Sequence, residues 1–565
     1  MATNRKLLTR ATVASGTVLL TLAPLAHGWY SAPFTAQTHA VATDNSDASR
    51  AALTVLEAGG NAADAAIAAA LALGVVSPSS SGFGGGGFAV ICPPTGGETN
   101  CKFVDFREVA PQSLTVERMR ASTAPRASQV GGLSVGVPGE PAGFVMMSQR
   151  FGRRPLAVAT APAVRLAREG FVVSPFLLDR LGQEREEIAN NPAFSAAFGE
   201  SVRNARMRRP RLAQALERYG REGERFVHGA LANAIAETVS RAGGVLTADD
   251  VRAYRPIERR PLSRNVFGHT VVTASAPSAG GMIVLQTLTQ LEALSSRLGI
   301  APPGSSAAFH VLADGWRQSF DDRSRYVGDP GASDDTVSEA LLAPARLRRR
   351  HESFSPSNAR ATVVISPAND QGTSHLCVID RDGMAVSLTT TVNLAFGSRV
   401  VIPAMDILLN DQIDDFSIGT SGNNFGLAIA APNALQPGRR PVSSMSPSVV
   451  LRDGRPVACV GASGGPRIAT ATTQVIANLL LHRMNVEAAV AAPRAHHQGA
   501  PDVLLLEPEV PEDVRVGLLA RGYTVRTSDS PLAAATAIAV EGTGPTRRLF
   551  ASSDPRKAGG APAGR

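Results

Sequence analysis

The segment Ala62 to Val76, AADAAIAAALALGVV, is apolar on every face that a helix presents. Asn61 is suited to cap it, and Gly59-Gly60 end a preceding helix that Ser46 or Asp47 can cap and that runs through Glu57. A helix without a polar side cannot rest on a surface. Other elements must cover it all round, and its alanines let them come close. The chain can supply that cover, with 565 residues of which 44% are hydrophobic.

The rest of the chain suggests what the cover is. A loop, SPSSSGFGGGGF, leads into a strand at Phe88 to Cys92 and a partner at Lys102 to Phe106. From about Pro111 to Phe354 the pattern is mainly helical, as in Pro155 to Glu169, Leu178 to Asn190, Leu231 to Ala242, Met282 to Leu294 and Ala307 to Ser324. Ser355 to Gly372 is polar and proline-bearing, a linker before a new start. Thr373 to Val460 is rich in β-branched runs and Gly, Asn and Asp turns, followed by a helix from about Ala469 to Leu481. Strands packed between helical layers, an α/β fold, is the architecture this predicts. The tail Lys557 to Arg565 reads as low-complexity.

The N-terminus carries Arg5, Lys6 and Arg10, an apolar run from Ala11 to Leu25, and small residues at Ala26 to Gly28. This is a secretory layout over residues 1–28, as a cleaved leader or a retained anchor, and it predicts a secreted, periplasmic or extracellular protein. In that setting Cys92 and Cys101, flanking the turn in CPPTGGETNC, are a candidate disulfide, with two free thiols as the alternative. Cys377 and Cys459 lie inside apolar strand patterns and are expected to be buried small hydrophobes without a partner. The formal charge of +8 includes two basic runs, Arg203 to Arg211 and Arg346 to Arg350. Neither contains aromatics to stack on bases, so both are read as solvated linker faces and no nucleic-acid partner is expected.

Two motifs invite other chemistry. Gly82-Phe-Gly84-Gly-Gly-Gly87 matches a dinucleotide fingerprint with Asp105 downstream, but here a helix precedes the glycines and a strand follows, the reverse of what a pyrophosphate site needs. Gly461-Ala-Ser463-Gly-Gly465 matches a nucleophile elbow, with Glu487 and His496-His497 as the available triad partners. No spaced Cys and His pattern holds a metal, and adjacent His496 and His497 aim poorly at one ion, so neither metal nor cofactor is expected.

The segment from Gln371 to Asn393 alternates like a hairpin with Asp382-Gly383 at its turn, which sets Thr373 opposite Thr390 to Val392. Hydroxyls thus meet at the open end of two paired strands. Taken alone, this suits either a site or ordinary strand-forming threonines.

From about His39 to Arg556 the chain resembles the gamma-glutamyltransferase family of N-terminal nucleophile hydrolases. The resemblance rests on GGNAADAAIAAALALGVVSP from Gly59, GGGGF from Gly84, DFREVAP from Asp105, GVPGEPAGF from Gly136 and RSRYVGDP from Arg323. It continues through TSHLCVIDRDGMAVSLTTTVNLAFGS from Thr373, LLNDQIDDFS from Leu408, RRPVSSMSP from Arg439, GASGGPR from Gly461 and APRAHHQ from Ala492. It implies a four-layer αββα sandwich in which a precursor cuts itself between Gly372 and Thr373. A large subunit, residues 29–372, would then stay with a small one, residues 373–565, as one catalytic domain.

By the same resemblance Thr373 is the nucleophile, Thr391 its hydroxyl partner, and the Gly464 and Gly465 amides form an oxyanion hole, which demotes Ser463. Arg107, Ser443 and Ser444 match ligands of a donor α-carboxylate; Asn393, Gln412 and Asp415 match those of its α-amino group. The implied partners are a gamma-glutamyl donor such as glutathione and a water, amino-acid or peptide acceptor. Thr420 to Ala431 has the length of a lid, with Phe425 where some members carry a tyrosine. Ser374 and Thr390 depart from the usual residues but keep strand character, whereas Arg399 and Ala404-Met405-Asp406 are departures expected to alter the acceptor side. Three other readings stay open: a cephalosporin, glutaryl or polyglutamate acylase of the same mechanism, a Ser463 hydrolase, and a non-catalytic scaffold.

Overall fold

Alternation along the strands decides the layering. In the strand Gly372–Ile379, Cys377 and Ile379 enter one apolar core while Leu376 and Val378 enter another. The strand Gly86–Cys92 divides likewise, Phe88, Val90 and Cys92 against Ala89 and Ile91. Both strands, and Ala385–Asn393 between them, are buried at every residue, as in a sheet covered on both faces. The structure, a computed structural model, describes residues 34–199, 205–360, 372–419, 423–425, 427 and 431–565. The expected leader, most of the linker before Gly372 and most of the lid segment lie outside the described residues.

The first sheet has seven strands in the order Ala563–Gly564, Ala40–Thr43, Gly372–Ile379, Ala385–Asn393, Gly86–Cys92, Lys102–Phe106, Ile257–Arg259. The second, also of seven, runs Phe34–Ala36, Arg548–Ser553, Ala534–Glu541, Arg455–Ser463, Ser448–Arg452, His269–Thr273, Leu262–Val266. All pairs in both are antiparallel. Helices including Ser46–Glu57, Ala62–Val76 and Glu140–Phe151 share the core on the outer face of the first sheet. Gly280–Leu298, Ser306–Tyr326 and Arg467–Leu480 cover the second. This is the αββα sandwich.

The alanine helix lies where its composition requires, with every residue but Gly74 buried. Asn61 caps it in a reciprocal capping box with Asp64. The Asp380 carboxylate, at the turn of the hairpin, accepts from the Ala62 amide at 3.0 Å and also holds the amides of Asp382, Gly383 and Met384. One side chain therefore closes the hairpin and stops the helix end being left unpaired. The preceding helix is capped by Asn45, one residue before the expected Ser46.

Several expectations are corrected. Cys377 and Cys459 form a disulfide between the two sheets, alongside the Cys92–Cys101 disulfide within the first. The two residues are 82 apart in sequence, and only the stacking of the sheets brings them together. The hairpin Leu262–Val266 and His269–Thr273 interrupts the region read as helical; its turn, Phe267-Gly268, has φ of 52° and 72° and lacks the usual Asn or Asp signal. Leu178 to Asn190 divides into Pro175–Gln183 and Arg185–Asn190. The basic runs are not simply solvated: Arg346 and Arg350 pair with Asp322, and buried Arg209 donates to the carbonyls of Gly74 and Asp406. The tail does not hang free either, since it ends as an edge strand of the first sheet.

Between the sheets, a Cβ on Gly461 would lie 2.2 Å from His375 Cε1. Only glycine leaves space there for the imidazole, which bonds Thr389 Oγ1 at 2.8 Å and which burial drives down to about 3, keeping it neutral. Gly461→Ala is expected to lower unfolding stability by about 1–3 kcal/mol through overpacking, measured as a fall in the urea midpoint at unchanged slope.

Candidate active site

The open end of the hairpin is irregular. Gly372 pairs with Asn393 and Thr373 with Thr391, so the register shifts at the bond between Gly372 and Thr373. Asn393 takes a φ of 80°, a left-handed conformation that asparagine tolerates better than most residues. A Cβ on Gly372 would meet Asn393 O at 2.0 Å, which excludes any side chain at that position.

The bulge gathers hydroxyls around one peptide bond. Thr373 Oγ1 lies 3.1 Å from Thr391 Oγ1, and Thr391 Oγ1 donates to the Gly372 carbonyl at 2.6 Å while accepting from the Asn393 amide at 2.9 Å. A hydrogen bond to that carbonyl draws charge from its carbon, next to the Thr373 hydroxyl. On the other side, Lys557 Nζ donates to Thr373 O and Asp44 Oδ2, both at 2.7 Å. Sequence reasoning missed Lys557 and Asp44, because a lysine in a glycine-rich tail and an aspartate before a helix give no signal of meeting.

Thr373 stands between two cavities. The tighter, polar one is lined by Arg107, Arg323, Asn393, Gln412, Asp415, Phe425, Ser443, Ser444 and Gly465, among others. The wider, about 350 Å³, is lined by Phe176, Arg180, Ser463, Gly464 and Lys557, among others. Every residue matched to catalysis or donor binding thus lies at one of the two cavities, apart from Gly372, whose carbonyl accepts from Thr391 Oγ1. Arg399 and Asp406, expected near the acceptor side, line neither; Arg399 pairs with Glu184 and Asp406 with Arg211.

In the polar cavity, Arg107 Nε donates to Pro441 O at 3.2 Å and Nη2 to Asp415 Oδ2, which also accepts from Gln412 Nε2 at 2.7 Å. Burial raises the Asp415 carboxyl above its ordinary range, against the pull of Arg107. Asn433 staples the wall, donating to Asp415 O at 2.7 Å and accepting from the Val442 amide at 2.9 Å, so Asp415 and the Ser443-Ser444 turn hold one spacing. Gly464 and Gly465, with φ of 133° and 55°, make the sharp turn from the strand Arg455–Ser463 into the helix Arg467–Leu480.

The rival motifs have other uses. Ser463 Oγ donates to Asp44 Oδ2 at 3.2 Å and Ala534 O at 3.4 Å, while Glu487 accepts from Ser552 and His496 bonds Thr470 and Gln498. No triad is assembled. In the glycine run, a Cβ on Gly84, Gly85 or Gly87 would lie 2.0–2.2 Å from the carbonyls of Leu408, Thr391 and Thr389. Those glycines admit neighbouring strands, not a phosphate.

A sequence profile described as Gamma-glutamyltranspeptidase matches residues 48–564. The chain belongs to the gamma-glutamyltranspeptidase family. It is 34% identical over 543 residues to a glutathione hydrolase proenzyme of Escherichia coli, covering 93% of this chain and 91% of that one. It is 36% identical to glutathione hydrolase 2 of Arabidopsis thaliana, covering 93% of each. Among solved structures it resembles a cephalosporin acylase from Bacillus halodurans, with TM-score 0.82, 26% identity and coverage of 97% of this chain and 99% of that one. A Helicobacter pylori gamma-glutamyltranspeptidase aligns with TM-score 0.52 and 30% identity over 56% of this chain and 91% of that one.

The threonine strand also rests on a buried carboxyl group. Thr390 Oγ1 donates to Glu140 Oε2, and burial pushes the Glu140 carboxyl up to about 8. Its folded form keeps a proton that the unfolded chain loses above about pH 4.5, so it lowers stability progressively as pH rises from there to about 8. Glu140→Gln should remove that slope. Its urea stability should match the wild type near pH 4.5 and exceed it at pH 8.

Proposed function

We propose that the chain is a self-processing gamma-glutamyl hydrolase and transferase that cleaves gamma-glutamyl amides such as glutathione. The observation that carries this reading is the bulged bond between Gly372 and Thr373 with Thr391 Oγ1 on its carbonyl, opening into the cavity of Arg107, Asp415, Ser443 and Ser444.

Processing begins when Thr373 Oγ1 attacks the Gly372 carbonyl carbon, polarised by Thr391. The peptide nitrogen leaves as the amine of Thr373, and water hydrolyses the resulting ester. The new amine, with a pKa of about 8 in model peptides, then serves as base for its own hydroxyl. In turnover that hydroxyl attacks the gamma-carbonyl of the donor, the Gly464 and Gly465 amides stabilise the oxyanion, and the leaving amine departs with a proton. Water or an amino acid or peptide amine releases the acyl group. In the polar cavity, cationic and hydroxyl groups suit an α-carboxylate, while Asn393, Gln412 and Asp415 offer oxygens to an ammonium. The relatives named glutathione hydrolase support this donor class.

The likeness to a cephalosporin acylase favours a second reading with the same mechanism and a different acyl head. A glutaryl group lacks the ammonium for which Asp415 would be the partner, so the cavity favours the amino-acid head. Secretion is the proposed location; two disulfides among the described residues support an oxidising compartment, and no described helix is long and apolar enough to cross a membrane.

Intact mass and a denaturing gel test the processing. The wild type should give two fragments meeting at Gly372 and Thr373, and Thr373→Ala one uncut chain. A folded wild type that stays whole would remove the mechanism. Faster turnover of glutaryl than of gamma-glutamyl anilide would instead select the acylase reading.

A further inference from the structure

The strand that begins at Gly372 and the strand that ends at the Gly464-Gly465 turn lie face to face in different sheets, and alternate residues of each meet in succession. Thr373 shares the wider cavity with Ser463 and Gly464. Next along, His375 fills the space that a Cβ on Gly461 would take. Then comes the Cys377–Cys459 disulfide, with both residues fully buried. The covalent contact therefore stands four residues from Thr373 and five from Gly464, on the two strands that carry the proposed attacking hydroxyl and the proposed oxyanion amides.

Support within the first sheet runs out near that point. The neighbouring strand Ala40–Thr43 pairs with Leu376 to Ile379 only, so Thr373 to His375 have a strand partner on one side, Ala385–Asn393. Their other edge rests on two side chains, with Asp44 Oδ2 accepting from the His375 amide at 3.2 Å and Lys557 donating to Thr373 O at 2.7 Å. Cleavage before Thr373 would make that residue a chain end, and chain ends lose order unless they are tied down. Both cysteines follow the proposed cut, so their bond persists inside the small subunit. We infer that the Cys377–Cys459 disulfide is a positioning device for the proposed nucleophile: it clamps the Thr373 strand to the Gly464 strand where two-sided pairing ends, and so fixes the gap across which the oxyanion forms. Oxyanion donors act at about 2.7–3.1 Å from the developing charge, and a misplacement of about 1 Å can cost about 100-fold in rate. This inference rests on the proposed acyl-transfer reading.

The test measures turnover of gamma-glutamyl anilide by the processed wild type, by Cys377→Ala with Cys459→Ala, and by Cys92→Ala with Cys101→Ala, each shown to be folded by circular dichroism. Wild-type turnover, measured alone, tests the underlying reading. If glutaryl anilide is turned over instead, the same comparison is made on it, because either acyl head forms its oxyanion at the same amides. Loss of the Cys377–Cys459 bond should lower kcat and kcat/KM together by about 10- to 100-fold, with KM within about 3-fold, since the lost contact belongs to the transition state. Loss of Cys92–Cys101 should lower the urea midpoint yet leave kcat within about 3-fold, because Cys92 pairs with Ala385 at the closed end of the hairpin. If Cys377→Ala with Cys459→Ala does not fold or process, Cys377→Val with Cys459→Ala decides, since it keeps more apolar volume between the sheets. A folded, processed variant without the bond that keeps wild-type kcat and loses only urea stability would overturn the assignment, as would an equal fall in kcat when Cys92–Cys101 is removed.

Discussion

Antiparallel pairing of Gly372–Ile379 with Ala385–Asn393, buried on both faces, is the constraint from which the rest follows. Residues on one face must be met by a second sheet and those on the other by helices, so four layers result from one hairpin that has no solvent side. The same pairing determines where the chemistry stands. Regular register would place Gly372 and Thr373 opposite consecutive residues, whereas the bulge leaves Val392 unpaired and turns Thr391 toward the Gly372 carbonyl. Asp380 closes the far end and caps the alanine helix, which couples the hairpin to the layer behind it.

Around that hairpin the molecule tolerates buried charge by distributing it. Lys557 is balanced by Asp44 and by the carbonyl of Thr373, so the last turn of the chain before its edge strand braces the proposed nucleophile. Asp105 answers both Arg259 and Arg440, and Glu507 and Asp554 answer Arg556. Arg323 forms no hydrogen bond or ion pair with any described residue, although the Asp415 carboxylate acts on it. Glu108 beside Arg107 and Glu140 beside Thr390 are each pushed up to about 8 by burial and so held neutral at ordinary pH.

The parts of this that were legible in sequence are local. Asn61 and the glycines before it marked the alanine helix, the Asp382-Gly383 turn set the hairpin, and counting back from it placed Thr373 against Thr390 to Val392, within which the structure pairs it with Thr391. The resemblance then gathered Arg107, Asp415, Ser443 and Ser444, which the structure brings to one cavity with Thr373. The hairpin at Phe267-Gly268 escaped because its turn residues lack the usual chemistry, and the short strands Phe34–Ala36 and Ala40–Thr43 escaped because three or four residues carry too little pattern to separate from a loop.

By itself, then, the sequence determined periodicity, turns, caps and the residue types at the hairpin's end, all of which depend on neighbours within a few positions. Tertiary structure alone decided that Cys377 meets Cys459, that Lys557 reaches Thr373, and that Arg323 shares a cavity with Ser443. These pairs lie far apart along the chain, and what joins them is the stacking of two sheets and their helices. Stacking follows from the summed burial of all the layers, and no local signal in the sequence encodes which buried polar groups it will bring face to face.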